Sequence, residues 1–293
     1  MSAETILVTQ DGSRFIDSQA ARLPVTRNLT LAYAVSIVIA AVMAVASIPG
    51  ILFGADIYPA DNQAQMPVVD GLNLVVGLPV LLGSMWLARR GRLLGLLCWP
   101  GALFYVLYRY LASAIGVPFG AMFLPHLLLV TLSTYTLIGL VASIDGEAVR
   151  KQLAGLVPER VAGAILVGAT LLFIVLDGGA IVTALASRPP SEPEHPVCVL
   201  IADFATLVPA CLIGGLLLWR RAPLGYVAGA GLLLVYSVLL VGPVPVLAAQ
   251  AHHDGSPFPM GDALFLLVIA SVYIVPFGFF LRGIAKSQNT KRS

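Results

Sequence analysis

Charged residues are scarce in this chain. They form 11% of its 293 residues, where a soluble domain carries about 25%. The net charge of +2 gives no basic field of the kind that holds nucleic acid, so no nucleic-acid partner is expected. Cysteine is rare too. Cys98, Cys198 and Cys211 fall in or beside apolar stretches, at spacings that match no metal motif, and read as small buried hydrophobes. No phosphate-cradling glycine loop, HExxH, GxSxG or dinucleotide fingerprint is present. No metal and no cofactor are therefore expected. The first 27 residues are polar and hold no short apolar segment with a small-residue cleavage site, so no cleavable signal peptide is expected.

Hydrophobic residues make up 58% of the chain and come in long uncharged runs, such as 31–54, 71–88 and 223–249. About 20 apolar residues at 1.5 Å rise cross a bilayer core. The runs lack the polar–apolar alternation of a membrane barrel. The expected fold is all-α: a polytopic transmembrane bundle of about eight spans near 31–54, 71–88, 93–115, 121–143, 161–186, 197–219, 223–249 and 262–281. Fifteen of the seventeen basic residues fall in the two tails and in every second connection: Arg89, Arg90 and Arg92; Arg150, Lys151 and Arg160; Arg220 and Arg221. Basic residues stay on the cytoplasmic side. Both termini are thus expected in the cytoplasm, and the arginine-rich, Ala/Gly-rich composition suggests a bacterial inner membrane. The opposite connections carry Asp56, Asp61, Asp70, Glu192, Glu194, Asp254 and Asp262. His252 and His253 read as exposed loop residues, since no further ligand stands at a metal-site spacing.

The two halves match at a shift of 130 residues, which aligns Pro79 with Pro209, Arg90 with Arg220, Gly95 with Gly225, Gly101 with Gly231 and Asn73 with Asp203. A shift of 138 aligns Met122 with Met260, Ser133 with Ser271 and Tyr135 with Tyr273. Four spans per unit return the chain to the same side, so a parallel repeat is expected, with a crevice between the halves as a natural site. The expected organisation is a tail (1–28), a first half (29–145), a linker (146–160), a second half (161–283) and a tail (284–293). The glycine pairs Gly178 and Gly179, and Gly214 and Gly215, together with the aligned glycines, are expected at close helix contacts.

Ionisable residues inside a bilayer cost about 2.5–3.5 kcal/mol each on insertion scales and need partners or a task. Arg109, His126, Asp177 and Asp203 stand out. Tyr105, Tyr108 and Arg109 share a helical face, as do Asp70 and Asn73. The candidate polar pocket, opening away from the arginine-rich side, comprises Asp70, Asn73, Tyr105, Tyr108, Arg109, Tyr110, His126, Asp177 and Asp203. Arg109 can pair with Asp203 or Asp70, or hold an anionic solute or lipid headgroup. The bland alternatives are an arginine that snorkels to headgroups, tyrosines that anchor at the interface and a histidine that only packs.

Gln63 to Gln65 leading to Asp70 and Pro79, Tyr108-x-Tyr110, Phe123–Leu124, and Asp203 leading to Pro209 resemble a family of uncharacterised bacterial multi-pass membrane proteins. The resemblance runs from span one to span eight and implies no substrate. That family has Asn between the two tyrosines and Tyr at the place of His126, which leaves Asp70, Tyr108, Tyr110 and Asp203 as the shared candidates. Three functions fit the sequence: a small-solute transporter or channel; a noncatalytic membrane subunit, sensor or assembly factor; and an intramembrane enzyme acting on a lipid or prenyl substrate. Transport leads on base rate.

Overall fold

A computed structural model describes residues 23–58, 62–187 and 196–290. The expectations that rest on Arg14, Arg22, Asp61, Arg188, Glu192, Glu194, Lys291 and Arg292 fall outside those residues. Among the described residues, eight helices are long and apolar enough to cross a membrane: Thr30–Leu52, Met66–Arg89, Leu93–Gly116, Phe123–Ser143, Glu159–Ala186, Val197–Trp219, Pro223–His253 and Met260–Gln288, here spans one to eight. No strand forms among them beyond an isolated bridge between Val25 and Ile144. The bundle is all-α, as the runs of apolar residues dictate.

The boundaries differ from expectation at the polar ends. Span two begins at Met66, because Pro67 suits a first helical turn. Asp70 is therefore a buried helical residue and not a loop acid. Span seven continues through a second helix, Pro243–His253, so His252 and His253 close a helix and do not stand in a loop. The last helix reaches Thr290, through most of the expected C-terminal tail.

Spans two and six share an unusual element. Each contains a π-helical turn, Asn73–Gly77 and Asp203–Leu207, followed by a proline one residue into the next helix. Pro79 and Pro209 have no N–H to give, and their rings crowd the carbonyl four residues back. A widened turn relieves that clash. Each span then ends in the same reversal. The amide of Arg92 bonds to the carbonyl of Leu87 at 3.0 Å, and that of Ala222 to Leu217 at 2.8 Å. Gly91 and Arg221 take the left-handed conformation there, with φ 73° and 56°.

Span three runs through the middle and is the most buried of the eight. Spans two, four and seven pack on it. It meets span seven at Gly101 and Gly231, whose backbones touch: a Cβ on Gly101 would stand 2.5 Å from Gly231 Cα. Only glycine permits such an approach. Gly95, Gly214, Gly215 and Gly225 also lie at close contacts. Gly178 and Gly179 do not, since a Cβ on either meets nothing within 4 Å. Span five presents them away from neighbouring helices.

The arginine-bearing turns gather at one end. There Asp145 N–H bonds to the carbonyl of Pro24 at 2.9 Å, and Gly146 lies against Pro223. The short helix Gly146–Leu153, capped by the Asp145 carboxylate, packs on span seven.

Candidate polar site

At the opposite end, spans one to four and span six converge around the last turns of span three. Asn73 opens the π-turn of span two and is 1% exposed. Its Oδ1 accepts a 3.0 Å bond from the Tyr105 hydroxyl. Asp203 opens the π-turn of span six and bonds to the Tyr108 hydroxyl. The widened turns thus aim one polar side chain from each of two spans at one face of span three.

Asp70 sits one turn before Asn73. Its Oδ2 accepts a 2.6 Å bond from the Tyr58 hydroxyl, and Ser47 of span one also donates to it. The Ser47 Oγ lies 3.1 Å from the Tyr110 hydroxyl. Tyr58, Asp70, Ser47 and Tyr110 therefore form one buried chain of hydrogen bonds. Burial first, and then the bond to Asp70, push the Tyr58 hydroxyl well above the ordinary tyrosine value. It stays protonated and donates. The chain closes only because Gly50 lacks a side chain, since a Cβ there would overlap the Asp70 carboxylate.

Arg109 is partly exposed at the edge of this group. Its charge acts on Tyr58, Asp70, Tyr105, Tyr108, Tyr110 and His126. His126 of span four is buried, with its ring 5.5 Å from that of Tyr110. Its Nδ1 has no hydrogen-bond partner, an expensive state for a buried polar atom.

Eight of the nine expected residues (Asp70, Asn73, Tyr105, Tyr108, Arg109, Tyr110, His126 and Asp203) thus gather in one region. Asp177 is buried on span five, one turn from Phe173, whose ring lies 6.0 Å from that of Phe204 beside Asp203 on span six. Ser47, Gly50 and Tyr58 were not anticipated. A signal existed for Ser47, which stands 130 residues before Asp177. Two carboxylates, one guanidinium, neutral hydroxyls and a histidine can orient a small polar ligand. Among the described residues no cluster of three or more His, Cys, Asp or Glu is placed to hold a metal.

Fold and site together define a polytopic helical membrane protein with a buried polar cluster near one end of its bundle. The chain matches no protein-family model, no curated protein sequence and no solved structure.

Proposed function

We propose that this protein recognises a small polar solute at the Arg109 cluster and carries it across a bacterial inner membrane. Its tails and arginine-bearing turns would face the cytoplasm, and the cluster would open outward. The observation that carries the reading is the convergence of buried polar side chains from several spans on the tyrosines of span three, with the Arg109 guanidinium at the edge of the group. Burying them costs several kcal/mol per ion, and packing alone gives no reason for that expense. The reading also takes the halves 29–145 and 161–283 as a parallel duplication. Supporting it are the matched π-turns, the matched reversals and the meeting of Gly101 with its counterpart Gly231. A twofold axis along the membrane normal requires equivalent residues to meet there.

The test compares small-molecule pools inside and outside cells that express wild type, Asp203→Asn or nothing. Wild type should shift the distribution of at least one solute, and Asp203→Asn should not. Identical pools in all three would overturn the proposal. Reporter fusions after Gly255 test the sidedness, which requires an external position.

A second reading rests on the cavity beneath the cluster, about 10 Å³ between spans two, three and seven and lined by Gly77, Gly101, Tyr105 and Val235. That holds at most about one water. On this reading the cluster clamps the halves of a noncatalytic membrane subunit. A stoichiometric partner recovered in gentle detergent, with unchanged solute pools, would favour it.

A further inference from the structure

The arginine-rich end carries a second feature, remote from the polar cluster. A cleft of about 600 Å³ opens there among spans five, six and eight. Arg160, Ala164, Gly168 and Ala169 of span five line it, with Trp219 of span six and Val272 of span eight. It exists because of how span five packs. Gly163 and Gly215 bring spans five and six into backbone contact, and a Cβ on Gly163 would stand 2.6 Å from the Trp219 nitrogen. Span five is thereby drawn onto span six and meets span eight only lightly. In the first half the corresponding spans, one and four, pack along each other more extensively. Small side chains floor the cleft, and a Cβ on Gly168 meets nothing within 4 Å.

We propose that this cleft holds an acyl chain of an anionic phospholipid, with the lipid phosphate at Arg160. The cleft walls are aliphatic apart from Trp219, and their one charged group is Arg160, exposed in the first turn of span five. Arg220, also exposed, follows Trp219 at the same end. An apolar slot ending in cations at the membrane surface matches an amphiphile with a negative head. A zwitterionic head would bring an ammonium group in need of an acid. The nearby acid, Glu159, is buried and already accepts bonds from Tyr226 Oη and the Gly155 amide, both at 2.8 Å, with Arg221 at 3.9 Å. A second copy of this chain is a poor occupant, because a parallel copy would bring its own Arg160 and Arg220 to the same surface.

Native mass spectrometry tests this with the full chain in detergent micelles, adding phosphatidylglycerol or phosphatidylcholine of identical acyl chains. Wild type should retain phosphatidylglycerol about fivefold more strongly. Arg160→Gln should bring the ratio near one. Gly168→Leu, which puts a side chain into the slot from a position where a Cβ meets nothing within 4 Å, should lower retention of both lipids, whereas Gly83→Leu, in open space on span two, should not. Thermal unfolding checks that each variant folds, and Arg160→Gln alters only an exposed side chain. Equal retention of the two lipids by wild type would mean annular lipid only and would overturn the proposal. A preference that survives Arg160→Gln would do the same. So would a dimer that Gly168→Leu abolishes.

Discussion

Gly50→Ala puts the geometry of the polar chain to a quantitative test. Alanine favours a helix over glycine by about 0.8–1.0 kcal/mol, so at an open helical position the change stabilises. At Gly50 the new Cβ would overlap Asp70 Oδ2 and stand 2.7 Å from the Tyr58 hydroxyl, inside the 3.0 Å that real Cβ contacts respect. The carboxylate or the helix must move. Overpacking a closed site costs about 1–3 kcal/mol. Parting Tyr58 from Asp70 forfeits a charge-assisted bond worth about 1.5–3 kcal/mol. Net destabilisation of about 1.5–5 kcal/mol follows from these opposing terms. Gly83→Ala serves as the control, since its Cβ meets nothing within 4 Å; it should be neutral or stabilising by up to about 1 kcal/mol. Unfolding of the purified protein in mixed micelles, followed by circular dichroism, measures both. In a Tyr58→Phe background the Gly50→Ala cost should shrink, because the bond it breaks is already gone. If Gly50→Ala proved as stable as Gly83→Ala, the reasoning about this contact would be refuted.

Three further outcomes follow from the packing. Gly101→Ala and Gly231→Ala should each cost about 1–3 kcal/mol, by forcing spans three and seven apart. The double variant should cost less than the two singles combined, because one separation serves both; unfolding in mixed micelles reads this. Arg221→Gly should leave stability within about 1 kcal/mol of wild type in the same assay, because relief of a left-handed strain of about 1–2 kcal/mol is offset by parting a cation from the buried Glu159 carboxylate, 3.9 Å away. Tyr226→Phe should destabilise by about 1–3 kcal/mol, since Glu159 is buried and loses its 2.8 Å hydroxyl donor.

Much of this architecture is legible in the sequence, for physical reasons. Water-insoluble runs of bilayer length must be spans, and arginines at alternate connections mark one end. Span two starts earlier than its apolar run implies, because Asp70 looks like a loop acid whereas Pro67 sets a helical turn there. The cost of burying charge makes Asp70, Arg109, His126 and Asp203 conspicuous, and their similar depth on neighbouring helices brings them together. Tyr58 was hidden because a tyrosine beside a loop has no period to betray it. Gly50 was hidden because its role is an absence of atoms. Asp177 lies on span five, which Gly163 and Gly215 draw onto span six. Sequence gives its depth, but only helix packing gives its neighbours. Gly178 and Gly179 show the same limit: adjacency to a buried acid did not tell which face of span five they occupy.

Polar groups from both halves of the chain meet at span three. A double-mutant cycle of Tyr108→Phe with Asp203→Asn measures this most directly, because these residues are far apart in sequence and joined only by the fold. A coupling of about 0.6 kcal/mol is expected, the average for interhelical hydrogen bonds in membranes. Coupling indistinguishable from zero would contradict that contact.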